Sequence, residues 1–420
     1  MRLLVRVILF APETFNLAET TRSIEVAKHL RETYECVFSG YSERYSGLIE
    51  EAGFTFHRLA PALTDEDADQ LIRVDQGKAV RHPFTAAMLR TRVASELALI
   101  GTLRPAAVVI GTTLSQFVSA RAAGVPLVYV KPFAYSWPHI LQTRSLPLAE
   151  GDGPLPRAVN TGAAALLREA ARVTTYKPAA FRAVAREHGV RLPGRTIQAL
   201  DADLNLITSL SCYLRPYRMP ANYRLVGPVF ARIDREIPPD VVRVAEASAR
   251  AKRPVVYFAM GSSGNREVVL RVLTELSRMP VTVIAPVASY LEESDLPQVA
   301  DNIHVRDLLP AHLLGDLIDA SVIHGGEGTV QTAVTTGKPF VGIGLQMEQR
   351  WNVADCVRFG NAVAVSPKDV SGASFRNAVE KVLTDPRTRS RARTLRELLS
   401  GVDGAASAAE HIHEHVSQKP

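Results

Sequence analysis

Ala320-Ser321-Val322-Ile323-His324-Gly325-Gly326-Glu327-Gly328-Thr329 is a short β-branched apolar run that passes without a spacer into a glycine-rich turn, and then into a helical stretch ending at Gly337-Lys338-Pro339. Val255-Val256-Tyr257-Phe258-Ala259-Met260, followed by Gly261-Ser262-Ser263-Gly264-Asn265 and another helical stretch, repeats the arrangement earlier in the chain. Glycine lets the backbone come close to a ligand, and a helix N-terminus offers unpaired amides carrying about half a positive charge. A strand that runs through such a turn into a helix is a ready phosphate site. His324, at the strand tip, adds a donor. A tight turn by itself does not call for the glycines, the histidine and Thr329 together.

Working outward, the same alternation of strand and helix runs through both halves. In the first half the apolar runs are Leu4–Ala11, Cys36–Gly40, Phe54–Leu59, Ala107–Gly111, Pro126–Lys131 and Leu204–Thr208. Between them lie stretches of helical period, such as 23–30, which sets Ile24, Ala27 and Leu30 on one face. In the second half the runs are Val255–Met260, Val281–Pro286, Ile303–Val305, Ser321–Ile323, Phe340–Ile343 and Ala362–Val365. Alternation of this kind means parallel strands with right-handed crossovers. Pro216, Pro220, Pro228, Pro238 and Pro239 cluster between the halves, where neither a sheet nor a helix interior tolerates them. The expected fold is therefore α/β, two Rossmann-like domains with parallel sheets facing across a cleft. The first domain spans 1–215, a proline-rich linker 216–239, the second domain 240–395. The stretch from about Arg387 to Val416 reads as helix, and the C-terminal segment 396–420 is expected to pack back across either domain.

Length and composition agree. A chain of 420 residues exceeds one ordinary core, and 46% apolar with 22% charged residues is the globular average. Of the 49 basic residues nine are Lys, so 40 are Arg, and they form no run. The net charge of +6 therefore gives no nucleic-acid footprint. Cys36, Cys212 and Cys356 are odd in number and far apart, which excludes a disulfide framework and fits a reducing, cytoplasmic setting. Arg6 interrupts the first apolar run and Pro12-Glu13 follow it, unlike a signal peptide. No window is long and apolar enough for membrane insertion. His411 and His415 share a helical face but lack further ligands, so they read as a solvated helix end.

After the next strand comes Gly344-Leu345-Gln346-Met347-Glu348-Gln349-Arg350-Trp351-Asn352. Adjacent Glu348 and Gln349 offer a carboxylate and an amide, a pair suited to vicinal sugar hydroxyls. The segment from Ile303 to Val365 contains Leu309-Pro310, His-Gly-Gly-x-Gly-Thr, Gly-Lys-Pro and Glu-Gln-x-x-Asn in order. It resembles the donor-binding signature of the family 1 glycosyltransferases, inverting enzymes of the GT-B fold that include bacterial antibiotic-type members. The resemblance implies a donor domain at 240–395 and an acceptor domain at 1–215. It implies that His324 and the turn of Gly325, Gly326, Gly328 and Thr329 hold a pyrophosphate, and that Gly261, Ser262 and Ser263 approach a phosphate. Backbone at Leu309 would meet the base, and Glu348 and Gln349 the sugar. It implies no metal and no cofactor, with a nucleoside diphosphate sugar as co-substrate, a small-molecule acceptor, and a homodimer as an allowed state.

The departures are informative too. The family's usual catalytic histidine precedes a helix that here reads Val26-Ala27-Lys28-His29-Leu30, and counting back places Glu19 there. A buried carboxylate can act as the base, although a glutamate in a first helical turn is also favoured by the dipole alone, and Glu13 is the other candidate. The acid that orients the histidine in many relatives is replaced by Gly111-Thr112. That loss also fits an acidic thiol or thione acceptor that needs no base, or a non-catalytic relative serving as a scaffold. A nucleotide-sugar 2-epimerase is a further rival. Thr332 stands where many relatives that use UDP-sugars have a ribose-binding glutamate, a lean toward thymidine donors. Phe133, Tyr135, Trp137 and His139, just after a strand, suit a flat acceptor or else complete the core. His82-Pro83-Phe84 is a further candidate for that wall.

Overall fold

The structure, a computed structural model, describes residues 5–418 except 76–84, 150–152, 216, 233–234, 262–263 and 296–299. It divides into two compact units: Met1–Val229 together with Asp403–Pro420, and Phe230–Val402.

Unit 1 is built on a seven-stranded sheet. Its strands are β1 Val7–Ala11, β2 Glu35–Gly40, β3 Thr55–Arg58, β4 Ala107–Ile110, β5 Leu127–Lys131, β6 Leu204–Ile207 and β7 Tyr223–Leu225. They lie in the order β3-β2-β1-β4-β5-β6-β7, and every pair is parallel. Side chains alternate across a strand, so β1 feeds two cores. Ile8 and Phe10 join a cluster with Ile24, Ala27 and Leu30, while Leu9 and Ala11 pack on the other face with Val108 and Ile110. Helices on both faces explain why these strands read as continuous apolar runs.

Unit 2 holds β8 Val255–Ala259, β9 Thr282–Ala285, β10 Ile303–Val305, β11 Ala320–Ile323, β12 Phe340–Gly342 and β13 Ala362–Ala364. Their order is β10-β9-β8-β11-β12-β13, again all parallel.

Two expectations need correction. The proline-rich stretch is not wholly linker: β7 forms between Pro220 and Pro228 as a three-residue edge strand, short enough to hold no proline itself. The boundary between the units falls after Val229, and Pro238 and Pro239 open the helix Pro239–Arg250, where a missing N–H costs nothing. The C-terminal stretch is two helices rather than one, Pro386–Leu398 in unit 2 and Gly404–Ser417 in unit 1. The second sends Ala405, Ala408, Ala409, Ile412 and Val416 into the core of β1.

In each sheet the strand order reverses once, between β1 and β4 in unit 1 and between β8 and β11 in unit 2. The loops leaving such a pair part to opposite faces and open a crevice at the strand ends. Glu19 follows β1, Thr112 follows β4, Gly261 follows β8 and His324 follows β11.

Candidate functional site

In unit 1 the helix Leu17–Lys28 is capped by Asn16, whose side chain accepts from the amides of Ala18 and Glu19. Glu19 in its first turn is 5% exposed. Its carboxylate reaches across the crevice and accepts from the Thr112 amide at 2.8 Å, from the Thr112 hydroxyl, and from the Glu13 amide at 3.2 Å. Residues 19 and 112, which the family resemblance makes partners, are thus in contact with new chemistry: a hydroxyl and an amide hold a carboxylate. Gly111 makes room for this. A Cβ at 111 would lie 2.1 Å from Glu19 Oε2. Burial holds the Glu19 carboxyl above its ordinary range, with the Thr112 bonds opposing and the Glu13 charge adding to the rise. A carboxylate of this kind is a stronger base than one in water.

In unit 2 the helix Glu327–Thr336 starts at Gly326 and no side chain caps it, which leaves first-turn amides facing the crevice. His324 is 5% exposed, and burial pushes its pKa down to about 4, so the imidazole is neutral near pH 7. Its Nδ1 lies 3.5 Å from the Thr329 hydroxyl. The glycines serve the ring first. A Cβ at Gly261 would sit 2.5 Å from His324 Cε1, and one at Gly326 only 2.4 Å from Nε2. Gly261 and Gly325 also have φ of +58° and +84°, a region that L side chains enter at a cost. Tyr290 clips the turn after β8, donating to the Gly261 carbonyl and accepting from the Gly264 amide at 2.9 Å. Ser262 and Ser263 lie outside the described residues.

The helix Met347–Phe359 follows β12. Glu348 accepts from Asn352 Nδ2, which also donates to the Gly325 carbonyl at 3.1 Å, so Asn352 couples Glu348 to the His324 turn. Gln349 is placed differently from the side-by-side pair expected. Its Oε1 accepts from the Leu345 and Gln346 amides and its Nε2 donates to Gln346 Oε1 at 2.6 Å, closing a capping box. Leu309 buries its side chain with Val241, Val255 and Leu314. Thr332 turns its hydroxyl back to the Gly328 carbonyl.

The aromatic acceptor wall is corrected. Phe133 is fully buried and packs edge-on to His139 and Tyr217. Trp137 packs on Tyr223 and its indole donates to Asp201 at 3.0 Å. His139 is 5% exposed, with its pKa pushed down to about 4 by burial. These residues complete a satellite core because the short helices after β5 must bury their own apolar face. Tyr135 belongs to the turn Phe133–Tyr135, and its side chain lies outside what is described, as do His82, Pro83 and Phe84.

Sequence reasoning missed the support beneath Glu19. Glu13, 3% exposed, takes two bonds from fully buried Arg92, at 2.7 and 3.2 Å. The only hint was an Arg and a Glu four apart, Arg92 and Glu96, on one face of the helix Ala86–Leu103. Among the described residues no group of His, Cys, Asp and Glu forms a metal cluster, and no helix is long and apolar enough to cross a membrane.

Comparison with known proteins agrees with this fold. The family described as "Erythromycin biosynthesis protein CIII-like, C-terminal domain" matches residues 270–405. The chain is 28% identical over 399 residues to a "PGL/p-HBAD biosynthesis glycosyltransferase" of Mycobacterium tuberculosis (strain ATCC 25177 / H37Ra), covering 93% of this chain and 88% of that one. It is 27% identical over 280 residues to an "Inactive PGL/p-HBAD biosynthesis glycosyltransferase" of Mycobacterium bovis (strain BCG / Pasteur 1173P2), covering 64% and 71%. The solved glycosyltransferase VinC in complex with DTDP superposes with a TM-score of 0.67 at 15% identity, over 99% of this chain and 100% of that one. The chain is a glycosyltransferase of the GT-B fold, similar in sequence to proteins named for glycolipid and antibiotic biosynthesis.

Proposed function

We propose that this enzyme moves a sugar from a nucleoside diphosphate donor to a small-molecule acceptor, with inversion and without a metal. The acceptor's O–H attacks the anomeric carbon directly and its proton passes to Glu19. The bond from that carbon to the diphosphate breaks as the new one forms. The departing charge meets the amides at the start of the Glu327–Thr336 helix and the neutral His324. Glu348 takes a sugar hydroxyl. The observation that carries the reading is the buried Glu19 carboxylate, held by Thr112 and raised in pKa, at the position of the family's base. Thymidine diphosphate is the donor nucleotide to try first, because Thr332 replaces the ribose-binding glutamate and a solved neighbour carries DTDP.

The test is thermal stabilisation by UDP, TDP, GDP and ADP, each with and without EDTA. A ligand at 100 times its Kd stabilises by about 2.7 kcal/mol. One diphosphate should give a shift that EDTA leaves unchanged, and no shift with any of them would sink the donor site. Glu19→Gln should then cost about 10²–10⁴ in transfer rate with that shift intact. A second reading is favoured by the inactive relative: the chain binds a nucleotide sugar without transferring it. An unchanged diphosphate shift with no transfer to any acceptor would support that reading instead.

A further inference from the structure

Glu19 stands on a loop that is itself held by a buried ion pair. Glu13 and Arg92 are 3% and 0% exposed, and the guanidinium forks onto both carboxylate oxygens. On its other side Arg92 lies over the Tyr41 ring, 3.7 Å from its centroid. The Tyr41 hydroxyl donates to Glu96 at 2.6 Å, and Glu96 also accepts from Ser115 and Ser119 at 2.5 and 2.6 Å. Four elements of unit 1 therefore fix the place of one guanidinium: the loop after β1, Tyr41 after β2, the Ala86–Leu103 helix and the Ser115–Ser119 turn.

A buried ion pair is a poor stabiliser compared with apolar residues of the same volume, because both ions lose their hydration. What this one does hold is the backbone of residue 13. The Glu13 amide donates to Glu19 Oε2, and its carbonyl accepts from the amide of Asn16, the cap of the helix carrying Glu19. We infer that the Glu13–Arg92 pair is a positioning element for Glu19: it pins the loop whose amide aims the Glu19 carboxylate and fixes the charge which that carboxylate faces. The inference rests on Glu19 being the base. The other groups facing Glu19 among the described residues are Asn16 and Arg22 on its own side, Thr112 from the loop after β4 and Tyr129 on β5.

Charge arithmetic gives the pair a signature that a structural role lacks. In Arg92→Met, Glu13 loses its compensating cation, and wherever it is ionised its charge makes Glu19 hold its proton more tightly. In Glu13→Gln, Glu19 loses its anionic neighbour and keeps Arg22, so it must release its proton more easily. The two single variants should move the Glu19 titration in opposite directions by about half a unit to one unit each, and Glu13→Gln/Arg92→Met together should return it toward the wild type. The titration is read from the side-chain carboxyl carbon resonances of 13C-glutamate-labelled full-length protein, with Glu19 assigned by its loss in Glu19→Gln. The thermal transition of unit 1, which holds both residues, reports that each variant is folded.

Arg92→Lys is the safeguard against misfolding. It keeps the cation and loses the fork, so the Glu19 titration should stay near the wild-type position while the release of TDP from TDP-glucose, with water taking the glucosyl group, slows by about tenfold. Shifts in the same direction in both single variants, or none in either, would overturn the inference and leave Glu19 as base untouched. A Glu19→Gln enzyme with wild-type rate would overturn the base assignment itself, and this inference with it.

Discussion

At the scale of single residues, Glu19, the proposed base, carries a cost. Its folded-state pKa is raised above 4.5 by burial, so below that value the folded and unfolded chains hold the proton alike. As pH rises through the folded-state pKa the buried carboxylate is ionised at a penalty that the unfolded chain does not share, and stability falls. Activity runs the other way, because only the ionised form is a base. The acid limb of kcat/KM should therefore lie above 4.5, and Glu19→Gln should abolish it. The same variant should be at least as stable as the wild type at pH 8, with the difference vanishing as the pH falls to 4.5; denaturant titrations at both values check it. Gln can keep its oxygen toward the Thr112 and Glu13 amides and turn its NH2 to the Thr112 hydroxyl, so the fold survives. Gly111→Ala is the complementary change. Its Cβ would meet Glu19 Oε2 at 2.1 Å, expelling the carboxylate from its place, and it should cost about 10²-fold or more in rate while the TDP shift is preserved.

At the scale of elements, the turn after β11 shows why so many glycines stand together. Gly326 has an ordinary φ, and its lack of a side chain serves the His324 ring at 2.4 Å. Gly325 needs both its positive φ and its missing Cβ, which would strike Val353 at 2.5 Å and the Gln349 carbonyl at 2.9 Å. Gly326→Ala should push the imidazole out of line and weaken TDP binding by about 10-fold or more, the worth of one hydrogen bond to a charged group; calorimetric titration with TDP reads it. The helix Gly404–Ser417 is an element of a different kind. Its apolar residues at 405, 408, 409, 412 and 416 follow the period of a helix lying on a core. Ile412→Ala should destabilise unit 1 by about 2–5 kcal/mol, seen as a lowered denaturation midpoint.

At the scale of the whole molecule, connectivity separates what the sequence order joins. The chain leaves unit 1 at Val229, builds unit 2 without interruption, and returns at Asp403. Gly404 marks the return, since a Cβ there would lie 2.3 Å from the Gly227 carbonyl oxygen. A chain ending at Val402 keeps every residue of unit 2 and takes a helix out of the core of unit 1. Two thermal transitions should then separate: the one belonging to unit 1 falls, and the one that TDP raises stays. A single transition that falls as one, with its TDP response lost, would contradict this. Unit 1's dependence on residues from both ends of the chain follows from its β1 core, where Ile8 and Phe10 meet Ile412 and Val416.

The sequence by itself determined the α/β class, twelve of the strands, and the glycine-rich turns that follow β8 and β11. These are written in local pattern: apolar runs buried on both faces, glycine at strand ends, and motif spacing. β7 escaped because three residues between prolines carry no periodicity. Only the tertiary structure decided what the glycines accommodate, that Gln349 closes its own helix cap, and that Phe133, Trp137 and His139 belong to a core. It alone brought Glu13, Arg92, Tyr41 and Glu96 together around the loop beneath Glu19. The last of these depends on contacts between residues far apart in the chain, formed where the sheet order reverses. A linear pattern records which face a side chain takes along its own element, and it does not record which side chain from elsewhere comes to meet it.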